Sequence, residues 1–525
     1  MKTLPAIILA LTAAISLAAC SRKPPMRPFT LPEQPAYWPT ESWRVSTPEQ
    51  QGIDSESLIK AIDSVERQKL KIHSLLVIRS GFIVADVAFY PFMQGSKHDI
   101  ASVTKSFTST LIGSAIHHGN ISSLQQPALA FFPERTVATL DADKRAITLE
   151  HLLTMSSGLK CRTWPGEITL FRMMQSPNWV QFMLNLPMTD RPGTRFKYSS
   201  GGTHLLSAII HEATGMTALE FARETVFGPM GITNVTWPTD PQGINNHGWG
   251  DLKLDPHDMA KLGLLYLHNG FWDGKQLLPT GWVEAATTSH VRPKGFGLFA
   301  GYGYLWWVDS SGIYSGVGRG GQLLIVAPEK NMVVALTAGL AGKRNMTKEL
   351  EIVKSIILPG AKSAGSLPPN PEAVARLETG IRQATLSRNA VESTPPLPEM
   401  AAKISGRTFT LEPNMYGFTS LSLSFQKNDE AIMRLSLSSF EGKMDLELPV
   451  GLDNVYRISP GRYGLPAAAK GFWKNKNVFM VDLDEMGNIN HWQIRMKFKD
   501  EKVNVTMREM TGLPTGKFRG RLQQI

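Results

Sequence analysis

Strand-like segments stand at both ends of the first two thirds of this chain, and helix-like segments lie between them. Apolar, β-prone runs flank a short turn within Leu75–Val84, and further runs follow at Tyr302–Val308, Leu323–Val326 and Met332–Leu336. From Ile121 to Val291 the pattern is mainly helical, interrupted by Gly and Pro turns. A sheet must bury its apolar face against another layer. This order therefore predicts one sheet built from both ends of the segment, with a helical subdomain inserted.

The last third of the chain has a different pattern. Pro-rich stretches bracket a short helix-like segment over 358–403, which is typical of an interdomain linker. Beyond it, apolar and polar residues alternate in five runs, which predicts an antiparallel β domain over 404–525. The runs are Leu421–Phe425, Met444–Leu448, Val478–Leu483, His491–Phe498 and Val503–Met507. At 525 residues the chain is long enough for two domains, and we place the first, an α/β (α+β) domain, at 40–357.

The first 19 residues have the layout of a secretory signal peptide. Lys2 precedes an apolar run that is short for a membrane span, and Ser21, Arg22 and Lys23 follow soon after it. The run ends Leu-Ala-Ala-Cys, which resembles a bacterial lipobox. We therefore expect lipid on Cys20, a tether over 20–39, and a place in the bacterial cell envelope at the outer membrane, facing the periplasm. The alternative is an ordinary signal peptide with an incidental cysteine.

Charge and composition exclude several other classes of partner. The formal net charge is +10, so the protein can be attracted to anionic surfaces. The sequence has no long Lys/Arg run, and we therefore do not predict nucleic-acid binding. The 12 histidines form no cluster of metal-ligand spacing, so we expect no metal and no cofactor. Cys161 is the only cysteine besides Cys20, so the mature chain has no internal disulfide to form. The sequence leaves the oligomeric state open.

Ser102 and Lys105 stand three residues apart at the start of a helical pattern that runs to His118. On one helical turn the lysine amine can reach the serine hydroxyl. The helix N-terminus disfavours a second positive charge on Lys105 and favours an oxyanion held by the Ser102 amide. A buried lysine of lowered pKa can then take the serine proton. Ser-x-x-Lys alone is common, however, and an exposed helix turn explains it as readily.

The surrounding segments resemble the serine β-lactamase-like hydrolases, a family that includes class C β-lactamases, D-alanyl-D-alanine carboxypeptidases, esterases and nylon-oligomer hydrolases. Ala101–Phe107 (ASVTKSF) is similar to the nucleophile helix, Ile147–Leu159 to the segment that follows, and Pro192–Gly201 to the Tyr-x-Asn motif. The resemblance implies Ser102 as nucleophile, Lys105 as its activating partner and Tyr198 as proton shuttle. It also implies a β-lactamase/transpeptidase-like antiparallel sheet flanked by helices. The C-terminal β domain is similar to lipocalin-like modules appended to some of these hydrolases.

Two motifs depart from the family pattern. Ser200 stands where Asn is common, and either a substrate contact or a helix-capping role explains it. The third motif, Lys-Thr-Gly, is replaced by Tyr314–Gln322 (YSGVGRGGQ), a form that resembles the nylon-oligomer hydrolases.

The resemblance places the second oxyanion amide on Arg319, with Gly318 as the fallback, beside the Ser102 amide. It places substrate contacts at Gly320 and Gly321. The missing lysine would hold a substrate carboxylate, and the Arg319 side chain either substitutes for it or is solvated.

Acyl transfer through a Ser102 acyl-enzyme is the chemistry that this resemblance implies. The preferred reading is an amidase or esterase acting on a small-molecule or peptide-like substrate. A D-amino-acid peptidase or β-lactamase is the second reading, and the absent Lys-Thr-Gly speaks against efficient β-lactam turnover. A catalytically inactive binding or sensor lipoprotein is the third, and the intact Ser102, Lys105 and Tyr198 speak against it.

Overall fold

The structure is a computed structural model that describes residues 35–163, 166–293, 299–386, 393–425, 427, 429–439 and 442–523. The expected signal peptide, Cys20 and most of the expected tether lie outside these residues. Within them, no helix combines the length and the apolar character needed to cross a membrane.

The regular elements are helices in the first part of the chain and its linker, and strands throughout. The helices are α1 (Ser55–Arg67), α2 (Thr104–His117), α3 (Ala142–Arg145), α4 (Leu149–Leu153), α5 (Ile168–Met174), α6 (Trp179–Leu184), α7 (Ser200–Thr214), α8 (Ala218–Ala222), α9 (Pro256–Leu267), α10 (Trp282–Thr287), α11 (Gly342–Ile352), α12 (Leu358–Gly360), α13 (Pro371–Ala384) and α14 (Glu399–Ile404). The strands of the first domain are β1 (Ile72–Arg79), β2 (Phe82–Ala88), β3 (His98–Asp99), β4 (Lys253–Leu254), β5 (Phe271–Trp272), β6 (Lys275–Gln276), β7 (Gly301–Tyr302), β8 (Trp307–Val308), β9 (Tyr314–Gly318), β10 (Gln322–Ala327) and β11 (Met332–Ala338). Those of the second are β12 (Thr408–Leu411), β13 (Phe418–Ser424), β14 (Glu430–Ser439), β15 (Gly442–Gly451), β16 (Arg457–Pro460), β17 (Pro466–Asn475), β18 (Val478–Asp484), β19 (His491–Lys499), β20 (Lys502–Glu509) and β21 (Gly516–Leu522).

One sheet joins the two ends of the first domain, as the strand pattern predicts. Its order is β2-β1-β11-β10-β9-β8-β7, and β1 pairs antiparallel with β11 through Val77 and Val334. Every residue of β1 is buried because helices cover both faces of the sheet. Leu76 packs toward α2 and α9 on one face, whereas Leu75 packs toward α1, α11 and α13 on the other. This two-sided burial explains why β1 reads as a continuous apolar run.

The C-terminal β domain is a closed barrel. Nine strands follow the order β15-β14-β13-β12-β21-β20-β19-β18-β17, and a parallel contact between Gly451 of β15 and Lys470 of β17 closes the ring. β16 pairs with β17 outside the ring. Lipocalin barrels have eight strands and an interior that holds one small ligand. Here, among the described residues, Leu, Met and Phe side chains fill the interior and leave a cavity of about 10 Å³.

Candidate active site

A strained turn presents Ser102 at the start of α2. The Asp99 carboxylate accepts a 2.7 Å hydrogen bond from the Ala101 amide, and Ala101 has φ 46°, a left-handed conformation that is rare outside glycine. A short 3-10 helix, Ala101–Val103, then runs directly into α2. Such strain persists only where the surroundings fix it, and it is often found at functional sites.

Lys105 is buried behind Ser102. Its side chain is 1% exposed, and its Nζ donates hydrogen bonds of 2.9 Å to Ser102 Oγ and to the carbonyl oxygen of Trp249. Burial lowers the pKa of Lys105 to about 8, against smaller opposite effects from Glu167 and Asp251. An amine of this pKa is partly neutral near physiological pH and can accept the Ser102 proton.

Tyr198 contacts both Ser102 and Lys105. Its phenol hydrogen bonds with Ser102, its ring lies 4.8 Å from Lys105 Nζ, and it stacks against Trp307 with 6.2 Å between ring centroids. Burial raises the pKa of Tyr198, Glu167 raises it further, and the hydrogen bond with Ser102 lowers it. Tyr198 therefore stays a phenol in the resting site. It can relay a proton, but it is a poor base.

Glu167 also belongs to this cluster, although no motif in the sequence indicates it. Its Oε1 accepts a 2.9 Å hydrogen bond from Ser200 Oγ, and its charge acts on both Lys105 and Tyr198. Burial raises the pKa of Glu167, while Lys105 and Ser200 lower it. Glu167 lies between two motifs in a segment without periodicity, and only the fold brings it to Lys105.

Ser200 is not the helix cap, which was one of the two roles considered for it in the sequence. The cap of α7 is Ser199, whose hydroxyl accepts a 3.0 Å hydrogen bond from the Gly202 amide. Ser200, 2% exposed, is instead the hydrogen-bond donor to Glu167. The position where the family has an amide therefore carries a serine paired with a carboxylate.

Two glycines let β9 approach the serine turn. A β-carbon built on Gly318 would lie 2.7 Å from the carbonyl oxygen of Ile100 and 3.0 Å from the Ala101 β-carbon. One built on Gly316 would lie 3.0 Å from Val103 Cγ1. Real β-carbons do not approach backbone oxygen so closely, so glycine is required at 318. This packing carries the next residue, Arg319, to the serine turn.

Gln322 holds the Arg319 turn from behind. The Gln322 side chain is fully buried, and its Nε2 donates to the carbonyl oxygens of Arg319, at 3.0 Å, and Ala338, at 2.7 Å. Its Oε1 accepts a 3.1 Å hydrogen bond from the Ala338 amide. The turn is thereby fixed to β11, and the motif glutamine has a structural purpose.

The Arg319 side chain is half-buried and reaches the barrel domain. It donates to Thr511 Oγ1 and, at 3.1 Å, to Asn490 Oδ1, both in the barrel domain. Gly320 and Gly321 form the turn itself, with φ of 78° and 89°. A β-carbon on Gly320 would meet Ile489 of the barrel, and one on Gly321 would meet Leu340. Both expected substrate-binding glycines are thus enclosed by protein on that side.

The aromatic residues before the third motif are mostly core. Tyr302 is 1% exposed and Trp306 is fully buried, in agreement with core packing as the default interpretation. Trp307 is the exception that reaches the site, through its stack on Tyr198. In the part of the chain that the structure describes, no group of three or more His, Cys, Asp or Glu is arranged to hold a metal ion.

Comparisons with known proteins identify a family and several distant relatives. The β-lactamase family profile matches residues 62–352, more than half of the chain. The β-lactamase of Escherichia coli K12 is 28% identical over 193 residues, which are 35% of this chain and 48% of that protein. The 6-aminohexanoate-dimer hydrolase of Paenarthrobacter ureafaciens is 22% identical over 55% of this chain and 78% of its own length. The octameric penicillin-binding protein homologue of Pyrococcus abyssi has a TM-score of 0.46 at 17% identity, over 89% of this chain and all of its own.

The chain therefore belongs to the β-lactamase family, and its fold is of the mixed α/β type. Its match spans about half the length of the E. coli relative. The profile covers Ser102, Lys105, Tyr198 and Arg319 but ends before the barrel domain.

Proposed function

We propose that the protein hydrolyses an amide or ester through an acyl-enzyme on Ser102. The observation that carries this proposal is the 2.9 Å hydrogen bond between Lys105 Nζ and Ser102 Oγ, made by a lysine that is 1% exposed. A serine hydroxyl at its ordinary pKa is a weak nucleophile and needs an adjacent base. Burial, which lowers the pKa of Lys105 to about 8, supplies that base.

The reaction starts when the Ser102 proton moves to Lys105 as Oγ bonds to the substrate carbonyl carbon. The main-chain amides of Ser102 and Arg319 stabilise the negative charge on the carbonyl oxygen. The bond to the leaving nitrogen or oxygen then breaks, and the leaving group receives the proton through Lys105 and Tyr198. Water attacks the resulting ester, the acid is released, and Ser102 regains its proton.

An amide or ester is favoured over a β-lactam by the third motif. Where the β-lactamases and peptidases carry a lysine that helps hold a carboxylate, this chain has Gly316, and the Arg319 guanidinium is occupied by Asn490 and Thr511. The P. ureafaciens relative is named as a hydrolase of a 6-aminohexanoate dimer, which is not a β-lactam name. The relation to E. coli β-lactamase keeps β-lactam or D-amino-acid peptide hydrolysis as the second candidate.

Mass spectrometry after exposure to a fluorophosphonate, and separately to a penicillin, tests the proposal. We expect a phosphonate adduct on Ser102, none in Ser102→Ala, and hydrolysis of p-nitrophenyl esters or small amides that the variant abolishes. Failure of both reagents to label Ser102 would refute an enzymatic role. A stable penicillin adduct without turnover would favour the peptidase-like candidate instead.

Lipid anchoring through Cys20 is proposed from the sequence alone. The lipobox-like Leu-Ala-Ala-Cys ending supports it, as does the Pro-rich tether. Several acyl chains hold a protein at a membrane far more firmly than one. Cys20→Ala should shift the protein from the membrane fraction to the soluble fraction of the producing bacterium, and unchanged membrane retention would contradict the anchor.

A further inference from the structure

Strands β18 and β19 of the barrel form a hairpin, and the tip of this hairpin packs against the first domain. The tip of this hairpin, 485–490, is buried, with Met486 at 0%, Ile489 at 1% and Asn490 at 6% exposure. Ile489 has φ 71°, a left-handed conformation that is strained for a β-branched residue. Such a conformation persists because the docked surroundings hold it.

Ile489 packs on two glycines of the first domain. A β-carbon on Gly320 would lie 2.3 Å from Ile489 Cγ2, and one on Gly339 would lie 3.1 Å from the Ile489 carbonyl oxygen. Gly320 follows Arg319 directly, and Gly339 follows β11. The hairpin tip therefore presses on the turn that carries Arg319, and only glycine leaves room for it.

The Arg319 guanidinium is bound by the barrel at two points. One nitrogen donates to Asn490 Oδ1 at 3.1 Å, and another donates to Thr511 Oγ1. The Thr511 hydroxyl in turn donates to Glu509 Oε1, so its oxygen lone pair is free to accept from Arg319. A planar guanidinium held at two of its nitrogens has little orientational freedom.

Arg319 is also fixed from the first domain. Gln322 holds its carbonyl oxygen at 3.0 Å, and Gly318 packs against Ile100, two residues before Ser102. The first domain thus fixes the main chain of Arg319 against the serine turn, and the barrel restrains its side chain.

We propose that the barrel is a working part of the active site, in which Asn490 and Thr511 are positioning residues that aim the Arg319 amide at the oxyanion formed on attack by Ser102. This inference rests on the proposed acyl-transfer function. A preorganised donor stabilises the transition state only if it points at the oxyanion, and losing one donor altogether costs about 10²–10³ in kcat. A donor that is loosened rather than removed should cost about 10- to 100-fold. KM should stay unchanged, since the ground-state carbonyl makes a weaker contact.

The test uses the full chain with Asn490→Leu, Thr511→Val and the double variant. Asn490→Asp and Thr511→Ser keep an acceptor oxygen and should restore activity. Tyr90→Phe is the matched control, because it removes another interdomain hydrogen bond, Tyr90 Oη to the Tyr456 carbonyl at 3.4 Å, away from the turn. The measurements are kcat and KM for a p-nitrophenyl ester, the rate of Ser102 phosphonylation, and Tm.

We expect kcat and the phosphonylation rate of the double variant to fall about 10- to 100-fold with KM unchanged, while Tyr90→Phe and the two conservative variants stay within about twofold of wild type. The positioning role is wrong if the double variant matches Tyr90→Phe, if KM alone changes, or if activity falls only in proportion to folded protein. If wild-type Ser102 is labelled and all variants are labelled equally fast, the inference fails and the proposed function stands. If wild-type Ser102 is not labelled at all, both fail.

Discussion

Lys105 Nζ lies 2.9 Å from Ser102 Oγ and also donates to the carbonyl oxygen of Trp249 at 2.9 Å. The Trp249 contact fixes the amine without supplying a negative charge. Burial can therefore lower the pKa of Lys105 while its position stays set. The position of the Lys105 amine thus depends on its hydrogen bonds, whereas its basicity depends on burial. The two can therefore be tested separately.

The first prediction concerns pH. With the pKa of Lys105 at about 8, only the neutral amine can accept the Ser102 proton, so kcat/KM should rise as pH increases through about 8. From pH 7 to pH 9 the neutral fraction, and with it kcat/KM, should increase about tenfold. A flat profile over this range, measured with an ester that is stable at pH 9, would contradict Lys105 as the base.

The second prediction concerns Glu167. A nearby carboxylate favours the charged ammonium and raises the pKa of Lys105. Glu167→Gln should therefore move the rising limb of the kcat/KM profile to lower pH. Ser200→Ala is the control, because it removes the 2.9 Å hydrogen bond but leaves the charge on Glu167. If the rising limb moves to higher pH, or moves equally in both variants, the charge of Glu167 does not raise the pKa of Lys105.

The sequence predicts the parts of this molecule that repeat a simple period or match a motif. The hairpin of β1 and β2, the helix after Ser102 and the five alternating runs of the barrel are all confirmed as regular elements. Strand β9, Tyr314–Gly318, is not predicted because its sequence does not alternate apolar and polar residues. Its glycines instead allow the strand to approach Ile100 closely. The strands β12, β14, β16, β17 and β21 are likewise not indicated by the runs identified in the sequence.

The candidate site likewise has residues that the sequence predicts and residues that only the structure reveals. Ser102 and Lys105 share one helical turn, so their contact follows from spacing alone, and Tyr198 joins them through the family resemblance. Glu167 and Asn490 are found only in three dimensions, because each depends on long-range packing that no local pattern encodes. The barrel is predicted as a β domain, but its contact with Arg319 is not.

The third prediction concerns the close approach of β9. Gly318→Ala would place a methyl group 2.7 Å from the Ile100 carbonyl oxygen, so the strand or the serine turn must shift. We expect a loss of about 1–3 kcal/mol of stability and about 100-fold in kcat. Gly380→Ala is the control: nothing lies within 4 Å of its β-carbon in α13, and it should raise stability by up to about 1 kcal/mol. Equal activity in the two variants would contradict the required glycine.

The last prediction concerns the effect of Lys105 on the stability of the protein, as distinct from its role in catalysis. The pKa of Lys105 is lowered from 10.5 to about 8 by burial, so between these values the folded chain binds fewer protons than the unfolded chain. Wild-type stability should therefore gain a contribution from this group as pH rises from about 8 to about 10.5. Lys105→Met lacks the charge that burial disfavours, and at pH 7 it should be inactive yet more stable than wild type by about 1–2 kcal/mol. Urea unfolding of both proteins at several pH values measures the difference, which should narrow toward pH 10 because the wild type alone gains this contribution. A difference that stays constant with pH would mean that folding does not lower the pKa of Lys105. A variant less stable than wild type at pH 7 would mean that the hydrogen bonds of Lys105 to Ser102 and Trp249 outweigh its desolvation.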